Sequence, residues 1–138
     1  MEVWKEDAPQ EYWTYETAEE FLEYYFNNQP DLFFVAVSEN EILGAIMGLI
    51  KPWWNGNYIY ETEVFVNTHY RRMGISKKLW IAFLETAQSN YSALSLETFT
   101  FAKKKFPLSF YLRIGCKNLG EFIILDGYIE ELLKNLKK

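Results

Sequence analysis

Residues 64–80 read VFVNTHYRRMGISKKLW, and their order decides the fold. Three strand formers run into a polar turn, two arginines and a lone glycine, Gly74, and then into a segment with helical spacing. A strand that empties through a glycine loop into a helix suits an anion. The first amides of a helix have no intrahelical partner, carry the positive end of the helix dipole, and hold phosphate well where a glycine lets it approach.

Downstream, Ile75, Leu79, Ala82, Phe83 and Ala87 keep helical spacing, with Lys77, Lys78, Glu85 and Gln88 on the wet side, which predicts a helix over 74–89. Leu94 and Leu96 then alternate with Ser95 and Glu97, predicting a strand over 93–100. Pro107 suits a helix's first turn and Gly115 its end, so a short helix is expected between them. Phe122–Leu125 has strand character and Asp126-Gly127 closes it. The tail YIEELLKNLKK stays open: Ile129, Leu132, Leu133 and Leu136 have helical period. Upstream, a strand over 58–66 completes a strand-helix-strand unit, expected as a right-handed parallel crossover. Before it, 33–37 and 42–50 flank the turn-like SENE and predict a hairpin, in which Gly44 and Gly48 mark a bulge or close packing. Pro52 and Asn55-Gly56 signal a further turn. Thr17-Ala18-Glu19-Glu20 has the form of a capping box, predicting a helix over 17–27, and Val3-Trp4 is a weak first strand.

The 138 residues fit one domain over 1–138, and 49% apolar residues exclude a disordered chain. The longest apolar run, Ile42 to Ile50, is about half of the roughly 20 residues that a membrane helix needs, and the acidic start has no signal-peptide character, so a cytoplasmic protein away from membranes is expected. Cys116 and His69 are single, which excludes a disulfide within the chain and a cysteine- or histidine-rich metal site; no metal is expected. Charge is segregated. Residues 1–63 carry 13 acids and 2 lysines, net -11, whereas residues 64–138 carry 6 acids and 12 Lys or Arg, net +6. A basic half suits a phosphorylated cofactor and an acidic half a cationic second substrate, whereas nucleic acid is disfavoured.

Arg71-Arg72-Met73-Gly74-Ile75-Ser76, after a strand and opening a helix, resembles the Arg/Gln-x-x-Gly-x-Gly/Ala signature of the GCN5-related N-acetyltransferases (GNAT). Phe110-Tyr111-Leu112-Arg113-Ile114-Gly115-Cys116 resembles the family's later motif, a tyrosine four residues before Gly-Phe, and the tail is similar to its closing two strands. The resemblance implies a mixed α/β fold, a mostly antiparallel sheet with helices on both faces, here with a shortened N-terminal region. Ser76 stands where Gly or Ala is usual, Cys116 where Phe is, and Lys104 where many members carry Asn.

By that resemblance, acetyl-CoA is the cosubstrate, and its pyrophosphate meets the backbone of Arg71, Arg72, Met73, Gly74, Ile75, Ser76 and Lys77. Its pantetheine arm lies along Val64, Phe65 and Val66, where a strand bulge aims an amide at the developing oxyanion. Tyr111 is the acid for the leaving thiolate. Glu63 is the candidate base for the acceptor amine, with Glu61 beside it and Glu97 across the neighbouring strand in reserve. Trp53 and Trp54, in a turn where the core does not demand them, are candidates to stack on a cationic acceptor. The reading is acetyl transfer to a primary amine, a small cationic one by the acidic, aromatic character of the first half. A protein amino terminus or lysine is the alternative acceptor, and a non-catalytic acyl-CoA-binding regulatory module the alternative class. Edge strands leave a homodimer open.

Overall fold

A computed structural model gives the structure of the protein and describes residues 11–137; the expected strand at Val3-Trp4 lies outside them. The chain falls into two units, 1–99 and 100–138, each taken by itself below. In the first, helix α1 (Tyr15–Asn28) leads through a 3-10 turn, Pro30–Leu32, into strands β1 (Phe33–Ser38), β2 (Glu41–Trp53) and β3 (Gly56–Val66). A second 3-10 turn, Thr68–Tyr70, precedes helix α2 (Ile75–Tyr91) and the two-residue strand β4 (Ser95–Leu96). The sheet order is β1-β2-β3-β4, antiparallel except for the parallel β3–β4 pair that the crossover demands.

Helix α1 starts earlier than expected. Thr14 is the cap: its hydroxyl accepts from the Thr17 amide at 3.2 Å, and the Thr17 hydroxyl accepts from the Thr14 amide at 3.0 Å. Thr17 is thus the closing partner of the box and not its opener, because a hydroxyl can accept that bond as a glutamate would. The β1–β2 hairpin turns on Glu39 and Asn40, both at positive φ, as a two-residue turn requires.

The two sheet faces are served by different helices. Tyr25 of α1 packs with Ala45, Met47 and Leu49, joined by Phe21, Leu22, Phe33, Tyr60 and Phe65. On the other face, Phe83 of α2 is fully buried over Gly48, where a Cβ would stand 2.7 Å from its Cζ. Gly48 therefore serves close packing. The register also breaks there: Met47 pairs with Glu63 but Leu49 with Tyr60, so Glu61 and Thr62 together oppose Gly48 and form a bulge in β3.

β4 is much shorter than the strand expected over 93–100. It pairs at Tyr58–Ser95 and Ile59–Leu96, the Glu97 amide bonds the Ile59 carbonyl at 2.8 Å, and the ladder ends. The bulge begins two residues further along β3, where the backbone of Glu61 turns to φ +49, a twist that a straight parallel neighbour cannot follow.

In the second unit, helix α3 (Lys105–Arg113) is regular from Pro107, since Phe106 is extended. It ends in a Schellman motif: the Cys116 amide returns to the Tyr111 carbonyl at 3.0 Å, and the amide of Gly115, at φ +106, returns to Leu112 at 3.2 Å. The expected strand Phe122–Leu125 is not formed; these residues are exposed and no described strand pairs with them. The tail is helix α4 (Ile129–Leu136), not a closing strand. Its leucine and isoleucine stripe has helical period, and Glu130 and Glu131 in the first turn with Lys134 in the last agree with the helix dipole. Among the described residues, no helix is long and apolar enough to cross a membrane.

Candidate active site

The loop between β3 and α2 is built by short-range bonds. Asn67 caps the 3-10 turn, its side-chain oxygen accepting from the His69 amide at 3.1 Å, and the Tyr70 hydroxyl donates to Glu41 of the β1–β2 hairpin. That carboxylate holds the Tyr70 phenol above its usual range. The chain then runs extended through Arg71 and turns left-handed at Arg72, φ +65, and Gly74, φ +76. Residues 71–74 are exposed and Ile75 and Ser76 half-buried, with Lys77 exposed.

Helix α2 opens on Gly74 with no side-chain cap and no acidic residue in its first turn. Its first intrahelical bond runs from the Lys78 amide to the Gly74 carbonyl at 3.2 Å, so the amides of Ile75, Ser76 and Lys77 precede the ladder. A Cβ at Gly74 would meet nothing within 4 Å. Among the described residues nothing crowds Gly74 itself, and three amides ahead of the ladder with two arginines beside them have the chemistry that fits a diphosphate.

β3 carries the rest of the site. Val64, Phe65 and Val66 pair regularly with Ile46, Ala45 and Gly44, so the bulge expected among them lies instead at Glu61–Thr62. Cross-strand packing sets its place: Gly48 has no side chain, which lets Thr62 turn inward to lie beside Phe83. The Thr62 hydroxyl is buried there without a hydrogen-bond partner. Beyond Ile59, the edge of β3 turned away from β2 has no strand neighbour among the described residues. The loop, the open edge and the bulge thus follow one another along a single strand.

Glu63 is half-buried beside Met47, on the face that α1 covers. Burial, and secondarily the charges of Glu11 and Glu61, push its carboxyl up to about 7. Glu61 is exposed in the bulge and close enough to α1 for its charge to raise the Tyr24 phenol. The phenol of buried Tyr25 is raised by desolvation first, then by Glu63 and Glu61. Glu61, Glu63, Tyr24 and Tyr25 therefore form one electrostatic cluster, in which the tyrosines were not foreseen. The signal was present in Tyr24-Tyr25, but an aromatic pair on a helix is first read as core.

Trp53 does not stand free: the Lys51 Nζ lies 5.6 Å from its ring centre, 5.9 Å from that of Tyr58 and 5.6 Å from that of Tyr60. Trp54 is at the tip of the β2–β3 turn and 86% exposed. Glu97 is exposed just past β4, and its backbone holds to Ile59. Tyr111, in the second unit, is buried, with its ring edge-on to Phe110 at 5.6 Å and its carbonyl held by the helix end.

The Acetyltransferase (GNAT) family matches residues 1–115. This chain belongs to that family. An N-acetylaspartate synthetase from Xenopus tropicalis is 32% identical over 119 residues, which cover 83% of this chain and 42% of the relative, so the GNAT chain spans less than half of that protein's length. Among solved structures, a putative acetyltransferase from Agrobacterium tumefaciens superposes with a TM-score of 0.70 at 21% identity, covering 91% of this chain and 90% of that one. AAC(6')-Iy, solved in complex with the bisubstrate analog CoA-S-monomethyl-acetylneamine, gives 0.66 at 16% identity over 92% and 90% of the two chains. These likenesses show a GNAT fold, with the four-stranded, mostly antiparallel sheet described above.

Proposed function

We propose that this chain transfers an acetyl group from acetyl-CoA to the nitrogen of a small primary amine that arrives as an ammonium ion. The observation that carries the reading is the start of α2 at Gly74, which has no side-chain cap, no acidic residue in its first turn and no described atom crowding Gly74, and which follows a strand whose outer edge past Ile59 has no strand neighbour among the described residues. The name of the Xenopus relative, that of a synthetase of an N-acetyl compound, agrees with it.

When bound, acetyl-CoA supplies the acetyl thioester. The amides of Ile75, Ser76 and Lys77, with Met73, Gly74, Arg71 and Arg72 around them, hold its phosphates. The backbone of Val64, Phe65 and Val66 aligns its arm along the open edge. Glu63 removes the ammonium proton, directly or through water, and its raised proton affinity suits a base that works near neutrality. Glu61 adds negative charge that draws the ammonium in, Glu97 stands by as reserve, and the amides of the Glu61–Thr62 bulge offer donors for charge that develops on oxygen. Tyr111 gives its hydroxyl proton to the leaving sulfur. The N–C bond forms as the C–S bond breaks; of the two protons that the nitrogen loses, one goes to Glu63 before attack and on to solvent, and the second, shed from the acylated nitrogen, makes good the one that Tyr111 gave to the sulfur.

Two measurements test the reading together: calorimetric titration with CoA and acetyl-CoA, and thiol release on adding a panel of primary amines. Binding with amine-dependent thiol release is expected. No heat with either nucleotide overturns it, and binding without release for any amine leaves only a non-catalytic acyl-CoA binder.

A further inference from the structure

The face of β2 and β3 that α1 covers runs in one line from the carboxylates to Lys51. Glu63 lies opposite Met47, Tyr60 opposite Leu49, and Tyr58 opposite Lys51. Tyr25 and its neighbours in α1 cover Ala45, Met47 and Leu49, whereas Lys51 and Trp53, further along, are exposed. The phosphate-binding loop is at the far end of β3, past Val66, and the bulge is between. A cofactor laid from the loop to the bulge leaves the stretch from Tyr60 to Trp53 on the acceptor's side.

That stretch is not built for a second cation. The Lys51 ammonium is framed by three rings, Trp53, Tyr58 and Tyr60, at 5.6 to 5.9 Å. Trp53 is itself edge-on to Tyr58 at 6.2 Å, and Tyr58 is 6.1 Å from Tyr60, so the frame is continuous. Rings attract the charge but are not true acceptors, and an ammonium has three N–H donors to place. No described carboxylate pairs with Lys51. Lys51 and Met47 are four residues apart, about 13 Å along a strand, and the lysine leans back as far as Tyr60. Opposite charges thus stand at the two ends of a stretch on the order of 10 Å long, with Leu49 and Tyr60 between them.

We propose that Lys51 is a specificity-determining residue that receives a carboxylate, or a similar anion, carried by the acceptor amine some bonds away from its nitrogen. The acceptor is then zwitterionic, an amino acid or a related molecule: its ammonium end faces Glu61 and Glu63, and its anionic end faces the ring-framed lysine. This rests on the acetyl-transfer reading and sharpens the small cationic amine expected from charge alone.

The test compares thiol release from acetyl-CoA with β-alanine, 4-aminobutyrate, aspartate and glutamate against alkylamines and diamines of matched length, for the unaltered protein, Lys51→Met and Lys51→Glu. The amino acids are expected to exceed the matched alkylamines at least tenfold in kcat/KM. Lys51→Met should erase that preference through KM with little change in kcat, and Lys51→Glu should move it to the diamines. Tryptophan fluorescence, with Trp53→Phe as the control, reads the amino acid's arrival at the rings without turnover. Equal use of alkylamines and amino acids, or a preference that survives Lys51→Met, overturns the proposal while leaving acetyl transfer standing. No turnover of any amine removes the transfer reading and this inference with it.

Discussion

Phe83 of α2 occupies the space that a side chain at Gly48 of β2 would need, with its Cζ 2.7 Å from where a Cβ would stand. The same Cβ would lie 3.2 Å from the Thr62 hydroxyl in the bulge. Gly48→Ala should therefore lower stability by about 1–3 kcal/mol, as overpacking a core does. Adding Phe83→Leu should return part of the loss, with a coupling of roughly 0.5–3 kcal/mol expected for residues in contact. Urea denaturation of the two single variants and the double variant measures it, and simple additivity would count against the contact.

Glu63 links activity to pH. As a base raised to about 7, it is protonated and idle in mild acid, so kcat/KM should climb with pH through about 7. Glu63→Gln should flatten that limb and cut turnover by roughly 10²–10⁴-fold.

Stability should move the opposite way. The folded-state value is above the ordinary 4.5, so between about 4.5 and 7 the native state holds a proton that the unfolded chain has released. Stability from this group is full below that window and declines as pH rises through it, by on the order of 1–3 kcal/mol. Denaturation midpoints at pH 5 and pH 8 should show the decline in the unaltered protein and a smaller one in Glu63→Gln.

An anion at the start of α2 separates folding from binding. Helix α2 has no acidic residue in its first turn, so Ser76→Asp should stabilise the free protein by about 0.3–1 kcal/mol. The same carboxylate would repel a diphosphate, and CoA affinity should fall at least tenfold. Calorimetry with CoA and a thermal melt without it check the two signs, and a variant that binds CoA unchanged would place the phosphates elsewhere.

Tyr111→Phe tests the proposed proton donor. The ring is buried and the backbone is held by the Cys116 amide, so the variant should fold and bind CoA as before. Turnover should drop by roughly 10²–10⁴-fold. Undiminished thiol release would return Tyr111 to a packing role.

Much of the fold is legible in residue type, since its signals are local. The glycine loop, the hairpin and the α2 period each depend on residues near one another, and Gly44 and Gly48 announce close packing by having no side chain. What escaped depends on partners distant in sequence. The bulge lies at Glu61–Thr62 because Gly48, on another strand, admits Thr62, and β4 stops at Leu96 because β3 twists away from it. The tail carried two compatible patterns, and only the absence of a described strand beside it selects the helix. At the candidate site, Glu63 and Glu61 were legible as neighbouring carboxylates on one strand. The frame around Lys51 was not, because it needs the register of Lys51 with Tyr58 to bring three rings under one cation.

On the proposed placement of acetyl-CoA, the early parting of β4 from β3 ties the protein's heat tolerance to its cofactor supply. A ligand bound only by the native chain adds RT ln(1 + [L]/Kd), about 2.7 kcal/mol at a hundredfold excess over Kd. Along Glu61 to Val66 the ligand would take the place of an absent neighbour, so amide exchange should slow there first, and a cell poor in acyl-CoA should clear this protein sooner than one that is rich in it.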